Sequence, residues 1–378
     1  MIWLIFFGRL DAEKWIQWII DMVNLFGKDK EELPFDLFIF GSWAYEGHLR
    51  NLSQKYKQVH FFGRQNMDTI KRYSSLCQYA LMPSECLESF WLWALTSLHQ
   101  WIPVIWYAKW WLEPFIYPEL DISKSEWKNT WERLYNMLKK LIKNPIKFEK
   151  NPRQIAQEYT INHRKQNIAY LIWSKPQKII LVSDFINKIW GIETYVNDCK
   201  SILENMWHQV ELFGTNCPKG KSWKVFKMLW IFIWLFNIIW AHRLKNKINE
   251  FKPDIIRYHS ILRYIWWMWL NQWEEGIKKI LMFHDLWYVH PFPSKLTNES
   301  QIPKRLWLRK FLRASRSGNP FTRVALTLKY ISLRLIKRSL RNNIDTIIIP
   351  SPFMKDMFSR TYNIKPEKIY LLPHFIQS

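Results

Sequence analysis

The chain has 378 residues and a formal net charge of +23, enough length for two or three domains of roughly 100–200 residues each and a charge balance that draws polyanions such as nucleic acid, anionic lipid or phosphorylated substrates. Its four cysteines, Cys77, Cys86, Cys199 and Cys217, show neither C-x-x-C pairing nor histidines at zinc spacing, which argues against a structural metal or a disulfide framework. Tryptophan and glycine counts look exchanged, 25 Trp against 10 Gly, where ordinary usage gives about 26 Gly in a chain of this length.

The opening "MIWLIFFGRLDAEK" has no basic leader and no small-residue cleavage site, so it is not read as a signal peptide. Five apolar runs follow one another: "WLIFF", "DLFIF", "QVHFFG", "YALMPS" and "IPVIWY". Each precedes a polar or helical stretch, the alternation of a parallel α/β sheet. "WERLYNMLKKLIKN" then spaces its apolar residues at i, i+3 and i+4, predicting a closing helix. A second strand series begins near Pro176 with "QKIILVSDF" and continues through "QVELFG", "DIIRYHS", "KKILMFHD" and "DTIIIPS". The boundaries predicted are 1–172 for the first domain and 178–378 for the second.

Two stretches bear on membranes. "MLWIFIWLFNIIW", Met228 to Trp240, is shorter than the roughly 20 apolar residues of a spanning helix and predicts a buried or membrane-surface helix. Gln301 to Asn343 carries many Lys and Arg and no Asp or Glu, with apolar residues interleaved. That pattern suits either solvated amphipathic helices packed on the second sheet or a surface for anionic head groups. Nucleic acid is the weaker partner, because the aromatic residues form no recognisable stacking platform.

Ligands of open parallel sheets bind beyond the carboxyl ends of the strands. After the first strand, Gly8 permits a tight backbone, and Arg9 and Lys14 offer a donor fork and a point charge to phosphate oxygens. Taken in order, "FFGRLDAEKW", "FIFGSWAYEGHL", "VHFFGR", "LMPSECLESFWLWAL", "QWIPVIW" and "WWLEP" resemble the nucleotide-sugar-binding C-terminal domain of family 4 glycosyltransferases of the GT-B fold, over about residues 1–118. "WGIETYVNDCKSILENMWHQVELFG", "KPDIIRYHS", "FHDLWYVHP" and "IIIPSPFMKDMF" resemble the N-terminal, acceptor-side domain of the same family. The resemblance implies two Rossmann-like doubly wound domains in reversed order along the chain. A piece of a tandem fusion and a circular permutant both account for that order, and the tandem piece is favoured.

The same resemblance implies retaining transfer from a nucleotide-diphosphate sugar to a lipid-linked or glycan acceptor in cell-envelope synthesis, without a cofactor. It places the chain in the cytoplasm, peripheral at the inner membrane face. Arg9 and Lys14 would neutralise the donor diphosphate, and Glu88 would hold donor-sugar hydroxyls as the first acid of an E-x7-E motif. The backbone of Phe90, Trp91 and Leu92 would donate N–H groups, while Gly63 and Arg64 would meet the nucleobase. The second acid is replaced by Thr96, which accepts a hydrogen bond without a carboxylate's charge. From the second domain, Trp190 and Gly191 would form a phosphate-facing loop, and His284 would stand near the transferring sugar. Glu193, at its helix start, reads as structural. The family usually has glycine at Trp15, Trp43, Trp91, Trp101, Trp111, Trp190, Trp207 and Trp287, so the expectation is that many Trp positions are UGA codons decoded as glycine in the source. With genuine indoles at Trp91 and Trp190, the alternative is a non-catalytic, membrane-binding relic of the fold.

Overall fold

The structure is a computed structural model and describes residues 2–10, 16–28, 32–82, 92–108, 110–126, 129–146, 148, 151–160, 175–187, 191–216, 237–259, 261, 276–290 and 320–374. The described residues fall into two compact units, one ending at residue 160 and one running from 175 to 374.

The first unit is built on a parallel sheet of β1 (Ile2–Phe7), β2 (Phe35–Phe40), β3 (Val59–Gly63), β4 (Tyr79–Leu81) and β5 (Val104–Ile105), in the spatial order β3-β2-β1-β4-β5. β1 is a continuous apolar run, and β2 is apolar but for Asp36, because helices cover both faces of a parallel sheet. Between the strands run α1 (Ile16–Phe26), α2 (Glu46–Lys55), α3 (Met67–Ser74) and α4 (Leu92–His99). Asn66 starts α3 by accepting the Thr69 N–H at 2.8 Å. The closing helix α5 spans Thr130–Lys143, one residue from the sequence-predicted run, and buries Leu134, Leu138 and Leu141 along one stripe. Glu132 accepts the Asn129 N–H at its start, and Lys140 and Lys143 lie in its last turn, where the helix dipole favours cations. α6 (Pro152–Gln157) follows.

The second unit carries β6 (Lys178–Phe185), β7 (Gln209–Thr215), β8 (Ile255–Tyr258), β9 (Lys278–Met282), β10 (Thr346–Ile349) and β11 (Ile369–Leu371), all parallel, in the order β11-β10-β9-β8-β6-β7. Its helices are α7 (Gly191–Asn205), α8 (Asn237–Phe251), α9 (Pro320–Asn342) and α10 (Pro352–Tyr362). α7 packs on the sheet through Tyr195, Val196, Cys199, Ile202 and Leu203, a helical-period stripe. β11 has no counterpart among the apolar runs read from the sequence. Both units are therefore doubly wound, Rossmann-like α/β domains.

Of the apolar stretch Met228–Trp240, only 237–240 is described, as the start of α8; of the basic stretch Gln301–Asn343, residues 320–343 are described. Among the described residues no helix is long and apolar enough to cross a membrane.

Close approach of adjacent strands fixes a glycine in each sheet. A Cβ on Gly41, after β2, would lie 2.0 Å from the Gly8 carbonyl oxygen, and one on Gly214, in β7, would lie 2.1 Å from that of Ser183. Among the described residues, three tryptophans occupy backbone that a side chain disfavours. Trp101 has φ 68°, Trp207 φ 67° and Trp43 φ 140°. The first two close α4 and α7 in the same way. Trp101 donates to the Leu98 carbonyl while Ile102 reaches back to Ser97, and Trp207 donates to Glu204 while His208 reaches back to Leu203. This pair of bonds is the Schellman ending, whose left-handed residue is usually glycine because a Cβ there is strained.

Candidate functional site

In each sheet the chain order reverses at one place, and that is where open α/β sheets leave a crevice for ligands. In the first unit the reversal lies between β1 and β4, and in the second between β6 and β8.

At the carboxyl edge of the first sheet, Gly8, Gly41 and Gly63 stand on three adjacent strand ends. Gly8 N–H donates to the Phe40 carbonyl at 3.0 Å and Gly41 N–H to the Gly63 carbonyl at 2.8 Å. Gly63 has φ +66°, a left-handed turn suited to a residue without a Cβ. Arg9 and Arg64 immediately follow Gly8 and Gly63 and are exposed. The two glycine–arginine pairs, Gly8–Arg9 and Gly63–Arg64, thus share one sheet edge, with Arg9 beside the reversal. Thr96 sits half-buried on α4, and the backbone of Leu92 opens that helix. Lys14, Glu88, Phe90 and Trp91 lie outside the described residues.

In the second unit Gly191 is the first residue of α7, while Trp190 lies outside the described residues. Asn197 ties α7 to the end of β6 by donating to the Ile186 carbonyl at 3.0 Å. Glu193 is buried at the helix start, as a structural residue would be.

His284 stands just beyond β9, buried, in a cluster that the sequence reading did not assemble. His259, just beyond β8, brings its Nδ1 to 2.9 Å from His284 Nε2. The His374 ring stacks on that of His284, 5.0 Å between centroids and 6° between planes. Tyr195 of α7 meets all three imidazoles edge-on. Arg257, 1% exposed, lies two residues before His259, so its side chain leaves β8 on the same face. Its Nη2 reaches Met282 Sδ at 3.2 Å, and its Nε has no hydrogen-bond partner.

Burial holds the imidazoles neutral. It pushes His259 and His284 well below the usual histidine range, with the Arg257 charge and His374 adding to the effect. Burial and then Arg257 bring His374 down to about 3. The same burial raises the Tyr195 phenol. A cluster of neutral donors and acceptors beside a buried guanidinium has the chemistry to hydrogen-bond hydroxyls and anionic oxygens without exchanging protons at neutral pH. One signal for His259 was visible in "DIIRYHS": like "FHD", it puts a histidine at the end of an apolar strand. Tyr195 and Arg257 gave no such signal, since their importance comes from packing.

Residues 189–378 match the family model of Glycosyltransferase Family 4. No curated protein matches the chain. Similar solved structures include sucrose-phosphate synthase from Thermosynechococcus elongatus, at 22% identity over 41% of this chain and 40% of that one, with a TM-score of 0.34. The catalytic domain of cholesterol-α-glucosyltransferase from Helicobacter pylori is similar at 15% identity over 45% of this chain and 98% of that one, TM-score 0.30. A pneumococcal O-GlcNAc transferase, in complex with UDP and GlcNAc, is similar at 16% identity over 55% of this chain and 36% of that one, TM-score 0.32. The chain thus spans well under two thirds of the first and third of these proteins.

Proposed function

From the premise that the chain belongs to glycosyltransferase family 4, we propose that it transfers a sugar from a nucleotide-diphosphate sugar to a lipid-linked or glycan acceptor with retention at the anomeric carbon. The C1–O bond to the diphosphate breaks with its electron pair going to the diphosphate oxygen, a C1–O bond to an acceptor hydroxyl forms, and the hydroxyl proton passes to the departing diphosphate. Arg9 and Lys14 stabilise the charge that grows on the departing diphosphate. Glu88 and the amides of Phe90, Trp91 and Leu92 hold the donor sugar, Thr96 accepts one ribose hydroxyl, and Gly63 and Arg64 meet the base. Trp190 and Gly191 form the loop facing the phosphates, and His284 contacts the transferring sugar. The family match over the half of the chain that carries His284 is the observation on which this reading rests most.

The reading includes glycine at many positions written as tryptophan, by decoding of UGA in the source. Two Schellman endings closed by Trp101 and Trp207 support it, since their indoles are 55% and 84% exposed. Arg153 lies over the Trp101 ring at 5.7 Å, a contact too weak at an exposed site to hold the residue in left-handed backbone.

An acceptor at an anionic membrane surface belongs to the same reading, and the exposed side of α9 supports it. Val324, Ile331 and Leu335 are exposed there beside Arg323, Arg334 and Arg338, a mixture that inserts apolar groups under basic ones at a head-group layer.

Titration calorimetry with a panel of nucleotide-diphosphate sugars tests the donor site. Saturable binding that is lost in Arg9→Ala supports it; absence of binding to every member of the panel, with glycine at positions 91 and 190, rules it out.

A further inference from the structure

Arg257 Nε, His259 Nε2 and Ser183 Oγ are buried and have no hydrogen-bond partner among the described residues. They share one face of the second sheet. In register, Leu181 of β6 lies beside Arg257 of β8 and Val182 beside Tyr258, so Ser183 stands beside His259, whose N–H donates to the Val182 carbonyl at 2.9 Å. Side chains alternate along a strand, which puts Ser183, Arg257 and His259 on the face that α7 covers with Tyr195. β6 and β8 also flank the chain reversal of this sheet, where open α/β sheets take up ligands.

The guanidinium decides what this place lacks. Arg257 is 1% exposed and forms no ion pair among the described residues, its Nη2 contact being the neutral Met282 Sδ. An arginine cannot shed its proton to escape burial. The acidic groups beside it, the Tyr195 phenol and the Cys199 thiol, are held protonated by burial. The three imidazoles nearby are neutral for the same reason. Buried charges are otherwise paired, so one negative charge is missing from the groups that the chain itself brings here.

We propose that Arg257, Ser183 and His259 hold one monovalent inorganic anion, of the size and charge of chloride, enclosed under α7 at the reversal between β6 and β8. One guanidinium among neutral rings calls for a single negative charge. The burial of all three residues suits a small ion without its hydration shell better than a substrate that must enter and leave. Arg257 Nε–H and Ser183 Oγ–H donate to the ion, and His259 joins them with Nε2–H, its Nδ1 then accepting from His284 Nε2–H. The ion cancels the charge of Arg257 behind the histidines. The inference rests on these side chains alone and stands apart from the transferase reading.

Urea denaturation of the full chain at fixed ionic strength, with gluconate replaced stepwise by chloride, tests it. Chloride at about a hundred times its dissociation constant should lower the unfolding equilibrium constant roughly 100-fold, and bromide should substitute for it. Arg257→Met keeps an unbranched stem without the charge, so its midpoint should be no longer raised by chloride and in gluconate alone should match or exceed that of the parent. A parent that responds to chloride no more than this variant does overturns the proposal. If the methionine variant does not fold, anomalous diffraction from full-chain crystals grown in bromide gives the answer. A peak in hydrogen-bond contact with Arg257 Nε and Ser183 Oγ is expected; a water there, or bromide at surface lysines alone as an adventitious ion only, overturns the site. Loss of that peak when a nucleotide-diphosphate sugar binds would assign the anion to the substrate and reject a resident ion.

Discussion

The α-carbon of Gly41 faces the carbonyl oxygen of Gly8 so closely that a Cβ would stand 2.0 Å away, with backbone rather than a movable side chain as the obstacle. Gly41→Ala must therefore push β1 and β2 apart at the edge that carries Arg9. Overpacking of this kind costs about 1–3 kcal/mol and occasionally more. Gly63→Ala meets nothing within 4 Å and only strains φ at +66°, a cost of roughly 1–2 kcal/mol. Urea denaturation of the two variants should rank Gly41→Ala as the more damaging, and the opposite order would contradict the strand contact.

The Schellman endings make a prediction of opposite sign. Replacing Trp101 or Trp207 by glycine removes a left-handed strain of roughly 1–2 kcal/mol while sacrificing little burial, because both indoles are mostly exposed. Each variant should unfold at a higher urea concentration than the parent. Peptide mass spectrometry of the protein from its native source should find glycine at positions 43, 101 and 207; tryptophan at all three would end the recoding account.

Acid should unfold the second unit through its histidines. His259, His284 and His374 all have folded pKa values depressed by burial, so the unfolded chain binds more protons than the native one. The associated stability is complete above the unfolded value of about 6.5 and is lost as the pH falls below it, at up to about 1.4 kcal/mol per pH unit for each histidine. For His374 the loss continues down to about 3. Denaturation midpoints at pH 7.5 and 5.5 should differ, and His374→Asn should shrink the difference; a midpoint indifferent to pH would contradict the buried neutral cluster.

On α9 the basic residues divide by task. Lys337 Nζ donates to the Thr361 carbonyl at 3.2 Å and Arg341 Nε to the Tyr362 carbonyl at 3.1 Å, satisfying the end of α10. Arg334 and Arg338 point to solvent. Reversing these two to glutamate should weaken binding to vesicles containing phosphatidylserine by more than about tenfold, since each basic residue near such a surface contributes about 1 kcal/mol. Unchanged, salt-insensitive binding would place the membrane surface elsewhere.

Much of this was legible in the sequence. Ten apolar runs named the ten strands from β1 to β10, because strands buried on both faces leave unbroken hydrophobic text. β11 escaped since "IYL" is short and both Tyr370 and Leu371 are exposed at the sheet edge. Arg9 was singled out because it stands just after a strand, and Arg64 and His284 because the motifs around them resemble those of the family. The partnership of His284 with His259 and His374 was not, because it joins residues 25 and 90 positions apart through strand order alone. Glycine at 101 and 207 was an expectation from composition and motif, and the two left-handed helix endings that favour a residue without a Cβ there appear only in the backbone.

The measurement that bears most directly on the function is nucleoside diphosphate release from a panel of nucleotide-diphosphate sugars, by the full chain carrying glycine at 43, 91, 101, 190 and 207 and by the chain carrying tryptophan there. The glycosyltransferase account predicts release by the glycine form that quickens when a lipid-linked or glycan acceptor is added, and little or none by the tryptophan form. A folded glycine form that neither binds nor turns over any donor would contradict it.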